Sequence, residues 1–222
     1  MTNTWGLLIA TIYVFSIIGL AEALRRWRGW GAEFTRKVVH IGVGMLIWAV
    51  PWLFTTWTPF VVTSGCFAVL TFLDNRYHFF QSMASKDDQS NWGTFYFPLA
   101  AGAVVFWLWH WPPLMVAALM PLVWGDGMAE VVGRRFGRNK YTVFGHTRSL
   151  QGSLAFFAFG FLFTWLALVV IPGQPDLAWG AALLPAAATV ALATAVEAVA
   201  IGGIDNLLVT AVAALILSNW PF

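Results

Sequence analysis

An all-α, polytopic bundle of about eight membrane-spanning helices is the fold class this sequence predicts. Three observations predict it. Apolar residues make up 59% of the 222 residues and charged residues only 10%, against roughly 25% in an average soluble domain. Mean hydropathy is +0.73, and so few charges do not cover the surface of a soluble domain of this size. The charges are also grouped. All 12 Lys and Arg fall in three stretches, at Arg25–Lys37, Arg76–Lys86 and Arg134–Arg148, separated by long apolar runs. A single cysteine, Cys66, excludes a disulfide scaffold.

The spans follow in order. Trp5–Leu24 is apolar and has its positive charges after it, so it is expected to be a retained span and not a cleaved signal. Val38–Phe54 and Phe60–Leu73 come next, the latter short for a hydrocarbon core that needs about 20 residues. Phe95–Trp111 follows the longest polar connection, Asp74–Asn91. Leu114–Trp124 is again short, and its helix is expected to run on through Gly125 to Phe136. Leu150–Ile171, Leu177–Ala200 and Leu207–Phe222 complete the set. The connections after the first, third and fifth spans hold every Lys and Arg. Those after the second, fourth and sixth hold none and are rich in Pro and Thr. By the positive-inside rule this alternation puts both termini on the non-cytoplasmic side and the basic connections in the cytoplasm. Tryptophans near the expected interfaces, such as Trp48, Trp52, Trp57, Trp107, Trp109, Trp111 and Trp220, suit an aromatic belt. No linker or repeat divides the chain, so residues 1–222 are expected to form a single membrane-embedded domain.

Ionisable groups at membrane depth are costly and mark function by default. Five groups of polar residues occur, all at cytoplasmic ends. Arg36, Lys37 and His40 share one helical face, where two cations suit a polyphosphate or, from charge alone, a membrane-surface anchor. Gly93 and Thr94, with Pro98, shape the return of the polar connection to the membrane. Asp126 and Glu130 stand four residues apart among Gly125, Gly127, Gly133 and Gly137. Carboxylates so spaced can hold Mg²⁺ with waters and substrate phosphates, and the glycines permit close approach of a ligand or another helix. A Glu130–Arg134 surface pair with small-residue helix packing is the plainer alternative. Lys140, Arg148, Ser149, Gly152 and Ser153 combine cations, hydroxyls and a glycine at a helix start. These suit phosphate, and Ser149 also suits a helix N-cap. Glu197, alone in an apolar span, requires a partner or an aqueous cavity. Gly202, Gly203, Asp205 and Asn206 follow it, and capping accounts for Asp205 or Asn206. Acidic groups for metal, cations for phosphate and a bundle that admits an apolar chain together point to phosphoryl transfer onto a lipid. No P-loop and no H-E-x-x-H zinc pair is present.

Arg36-Lys37-x-x-His40, Gly93-Thr94-x-x-x-Pro98, Gly125-Asp126-Gly127-x-Ala129-x-x-x-Gly133, Ser149-x-x-Gly152-Ser153 and Glu197 with Asp205-Asn206-Leu207 run in one order across residues 36 to 207. In that order they resemble the polyprenol kinase family, which includes dolichol, phytol and farnesol kinases and CTP-dependent diacylglycerol kinases. The short length most resembles the phytol-kinase-like members. The resemblance implies transfer of phosphate from a nucleoside triphosphate, usually CTP, to a lipid alcohol. It also implies that Arg36, Lys37, Asp126 and Gly133 belong to the nucleotide and catalytic site. Arg148 departs from the family's usual Lys, which keeps the charge but changes the geometry and makes Lys140 a second phosphate candidate.

The expected activity is therefore that of a Mg²⁺-dependent isoprenoid alcohol kinase acting on phytol, geranylgeraniol or a polyprenol, with its site facing the cytoplasm and no nucleic-acid partner. Asp126, Glu130 and Asp205 are expected to hold the metal. Arg36, Lys37, Lys140 and Arg148 would neutralise phosphates, with Gly127, Ser149 and Asn206 beside the nucleotide. Asp126 or His40 would serve as general base. Glu197, Gly93, Thr94, Gly152 and Ser153 support the site. The alternatives are a CTP-dependent diacylglycerol kinase, a lipid-phosphate cytidylyltransferase and, in another class, an ion-coupled transporter.

Overall fold

The computed structural model describes residues 2–77, 92–200 and 203–222. Lys86 and Gly202 lie outside the described residues. The helices are α1 (Asn3–Arg28), α2 (Ala32–Gly44), α3 (Val50–Leu53), α4 (Thr58–Tyr77), α5 (Gly93–Leu108), α6 (Pro112–Met120), α7 (Gly127–Phe136), α8 (Leu150–Val170), α9 (Leu183–Val199) and α10 (Asp205–Ser218). A 3₁₀ turn, Met45–Trp48, joins α2 to α3, and a π-helical turn, Pro121–Asp126, joins α6 to α7.

Among the described residues, three helical stretches are long and apolar enough to cross a membrane: Asn3–Arg28, Pro112–Phe136 and Leu150–Val170. Four shorter apolar helices accompany them, Thr58–Asp74, Gly93–Leu108, Leu183–Val199 and Asp205–Ser218. Leu114 through Met120 of α6 are buried on every side, which is how a helix without a polar face sits at the centre of a bundle. Around it pack α5, α8 and α10. On the outside, α1 exposes Trp5, Leu8, Ile12 and Phe15, an apolar surface of the kind that faces lipid.

Three expectations are corrected. The span expected over Val38–Phe54 is not one helix: it breaks after Gly44 into the 3₁₀ turn and the four-residue α3. The break lies just past a tight crossing, because a Cβ added at Gly44 would meet Val123 Cγ2 at 2.5 Å. The loop expected around Lys140 is instead an antiparallel hairpin, β1 (Lys140–Val143) with β2 (His146–Ser149), with Lys140 opposite Ser149 and Val143 opposite His146. Its turn uses Phe144 and Gly145, both at positive φ, the backbone that two-residue hairpin loops require. The helix expected from Leu177 begins at Leu183.

The π turn has a local cause. Pro121 has no N–H and cannot bond the carbonyl of Ala117 in the helical ladder. That buried carbonyl accepts from Thr164 Oγ1 of α8 at 3.4 Å. The helix widens over Pro121–Asp126 and tightens again at its end, where Gly127 N–H donates to Trp124 O. The carbonyl of Leu122 accepts from His40 Nε2 at 2.8 Å.

Before α10, Gly203 holds φ +80°, and an added Cβ would lie 2.8 Å from Gly93 Cα. A left-handed conformation and a backbone contact both demand glycine. Gly203→Ala should lower stability by about 1–3 kcal/mol, measured by thermal unfolding in detergent. Gly180→Ala, with open space around the new methyl, should leave it nearly unchanged.

Candidate active site

α2 presents Arg36, Lys37 and His40 to the chain segment running from the π turn into α7, which carries Asp126 and Glu130. Lys37 Nζ lies 2.7 Å from Asp126 Oδ2 and 2.9 Å from Glu130 Oε2. Arg36 Nη2 forks onto Glu130, at 2.9 Å to Oε1 and 3.0 Å to Oε2. His40 Nε2 is 3.5 Å from Asp126 Oδ2, but its proton is directed to Leu122 O. Its ring packs on Phe97, with centroids 4.6 Å apart. Lys37 is only 7% exposed, so its charge is balanced by the two carboxylates and not by water. Glu130 also meets Arg134 Nε at 3.2 Å, and Arg134 in turn pairs with Glu33. The surface pair considered from the sequence therefore exists, as the outer edge of a larger network.

A second group of charges faces the first across one cavity. Arg148 on β2 pairs with buried Glu197 of α9, donates from Nη2 to Ala200 O at 2.7 Å and approaches Asp205 Oδ2 at 3.9 Å. Glu197 thus has the partner its burial requires. Asn206 donates from Nδ2 to Gly93 O at 2.7 Å, tying the start of α10 to the start of α5.

The cavity is about 600 Å³, within the range of small-molecule sites. Its polar end includes Arg36, Lys37, His40, Thr94, Asp126, Glu130, Arg148, Asp205 and Asn206, along with Gly93. His146 and Thr147 join this end. They were not foreseen, because only the hairpin brings them there. The rest of the wall is mostly apolar, interrupted by Thr11, Thr63, Ser64 and Thr71, and comes mainly from α1, α2, the 3₁₀ turn, α4 and α5, with Leu119 of α6 and Val123 of the π turn.

Several expected residues lie outside this wall. Gly127 packs against Ile41 of α2, where a Cβ would meet its side chain at 2.6 Å. Gly133 and Gly152 face each other at the crossing of α7 and α8. The Ser149 hydroxyl accepts from Gly152 N at 3.1 Å and caps α8. Ser153 bonds Tyr141 OH at 2.6 Å, and Lys140 is exposed on β1. Among the described residues, no group of three or more His, Cys, Asp or Glu is gathered closely enough to hold a metal. Asp126 and Glu130 do offer hard oxygen donors beside one another, bridged by Lys37.

A helical, membrane-associated protein with an apolar cavity opening onto clustered cations and carboxylates is the class that fold and site define. Such a cavity suits an amphiphile whose head meets an anion. The chain belongs to the phytol-kinase-like polyprenol kinase family. It is 34% identical over 213 residues to a phytol kinase of Synechocystis sp., covering 94% of this chain and 88% of that one. A probable chloroplastic phytol kinase of Oryza sativa is 28% identical over 231 residues, covering 96% of this chain and 73% of the relative. A chloroplastic farnesol kinase of Arabidopsis thaliana is 28% identical over 166 residues, 69% of this chain and 53% of the relative. No family model and no solved structure matches the chain.

Arg148→Gln should strand the Glu197 carboxylate and destabilise the protein by about 3–5 kcal/mol. Adding Glu197→Gln should recover most of that loss. A double-mutant cycle on unfolding in detergent measures the coupling, and additive losses would separate the two residues.

Proposed function

We propose that this protein is an isoprenoid alcohol kinase that transfers the γ-phosphate of CTP to the hydroxyl of phytol, geranylgeraniol or a related alcohol. Family membership supports the reaction class. The observation that carries the reading is the polarity of the cavity, mostly apolar along its length and charged at one end. An isoprenoid chain occupies the apolar part, and its hydroxyl meets the charged end. Residues 1–222 act as one domain.

Phosphoryl transfer depends on positioning and charge neutralisation. Arg36, Lys37 and Arg148 exchange their carboxylate partners, in part, for the phosphates of the nucleotide. That exchange frees Asp126 and Glu130, which suit Mg²⁺, an ion usually held by one or two carboxylates plus substrate phosphates. The metal, when bound, supplies charge neutralisation on the phosphates. Asp205 lies across the cavity and adds a further oxygen toward that site. Asn206 holds the α5–α10 junction beside the nucleotide.

Asp126 takes the hydroxyl proton as the lipid oxygen bonds the γ-phosphorus and the bond to the β-phosphate oxygen breaks. The Nε2 proton of His40 is engaged by Leu122 O, so His40 holds the π turn that leads into Asp126 and leaves the base role to Asp126. Glu197 orients Arg148. Ser149, Gly152, Gly133, Gly127 and Ser153 support the site by fixing how α7, α8 and α2 cross.

With CTP, Mg²⁺ and geranylgeraniol, the products should be CDP and a lipid monophosphate. Pyrophosphate with a CDP-lipid product would favour the cytidylyltransferase. Asp126→Asn should cut turnover at least about 100-fold, and near-normal turnover would remove Asp126 from the base role. Lys37→Ala should raise the nucleotide KM about ten- to a hundredfold, a loss of about 1.5–3 kcal/mol, whereas a membrane anchor would leave KM unchanged.

The bundle crosses the membrane eight times, with both termini non-cytoplasmic and the charged end of the cavity in the cytoplasm. The grouped Lys and Arg support this topology. Single cysteines at Lys86 and Arg138 should label only from the cytoplasmic side and one at Gln174 only from the other. Labelling of Lys86 and Arg138 from opposite sides would exclude it.

A further inference from the structure

The cavity has a floor. Three walls run from its charged end to the same depth. On α1 the lining extends from Ile18 to Leu7, on α4 from Thr71 to Phe60, and along α2 and the 3₁₀ turn from Lys37 to Ile47. At about 1.5 Å per residue each wall is about 16 Å long. At the far end, the second apolar segment runs through the 3₁₀ turn and α3 to Phe54, which is 4% exposed and lines the cavity. Phe54 packs edge-to-face on Phe60, with ring centroids 6.2 Å apart. On the other side α1 closes against the same segment. Gly6 lies so near Leu53 O that a Cβ would collide with it, and Phe54 Cδ1 would be 3.1 Å away. Leu7 and Ala10 extend this contact up the wall.

We propose that Phe54, Phe60 and Leu7 form the stop against which the last isoprene unit rests, and that Ala10 sets the free width just above it. These residues then determine chain length in the reaction proposed above, on which this inference rests. With a carbon–carbon bond of about 1.5 Å advancing roughly 1.25 Å along an extended chain, a depth of about 16 Å holds about 13 bonds. That lies between the backbones of three and four isoprene units. The ratio of farnesol to geranylgeraniol use is therefore the quantity most sensitive to the floor.

The test is competition between farnesol and geranylgeraniol for the purified full-length protein, with products separated by chain length. Ala10→Leu should shift the ratio of kcat/KM toward farnesol by about tenfold or more, the order expected when a few methylenes no longer fit an apolar pocket. Phe60→Ala should shift it the other way and admit longer prenyl alcohols. Thermal unfolding identifies any variant that fails to fold, and the remaining variant then decides. Unchanged ratios in folded, active variants would overturn the floor alone and mean that the chain tail leaves between α1 and α4. Failure of the unmodified protein to phosphorylate any alcohol would overturn the kinase reading and the floor together.

Discussion

Burying charge in an apolar bundle is the constraint on which the rest of this structure depends, and the Lys37 ammonium is its centre. An ion removed from water costs several kcal/mol unless compensating charge lies close by. Lys37 meets that condition with two carboxylates from a segment 89 residues away in sequence. Removing either carboxylate leaves an unbalanced cation, so the network pins α2 to α7 in one register. A ligand carrying several negative charges is a natural competitor for these partners. The pairing that holds α2 against α7 thus also gathers the cations an anion would meet.

The π turn serves the same end by backbone means. Pro121 cannot continue the hydrogen-bond ladder, and Thr164 and His40 provide partners for carbonyls along the turn. Such turns cluster at functional sites, and this one immediately precedes Asp126. A regular helix from Pro112 to Phe136 would rotate Asp126 and Glu130 relative to α6, since a π turn adds a residue to the winding. Glycines complete the arrangement where helices cross. Gly133 and Gly152 let α7 and α8 approach closely, and Ser149 caps α8 so that Arg148, one residue earlier, projects toward Glu197.

Much of the candidate site was legible from charge and spacing. Arg36, Lys37 and His40 share a helical face, Asp126 and Glu130 share another, and both faces lie at the basic ends of apolar runs. Glu197 was legible as a residue needing a partner, because nothing in its own span could satisfy it. The hairpin was harder to foresee, since its strands are only four residues long and their pairing carries little periodic signal. A capping serine and a phosphate-binding serine occupy the same sequence position, before a helix, so the sequence allows Ser149 either role, and the structure shows the cap. Only the direction of the hydroxyl separates them.

The sequence by itself determined that this chain is helical and apolar, that its basic residues gather between apolar runs, and which residues are candidates for the chemistry. Those properties follow from local composition and from the cost of placing charge in hydrocarbon, so no folding calculation is needed to read them. Tertiary structure decided which charges face one another and where the cavity ends. Lys37 chooses Asp126 and Glu130, and Arg148 chooses Glu197, only once the helices cross. The second apolar segment changes winding after Gly44, ahead of Pro51, which cannot donate into a continuous helical ladder. Val123 and Gly6, both distant in sequence, and the nearby Phe60 pack against that segment, and its end closes the cavity.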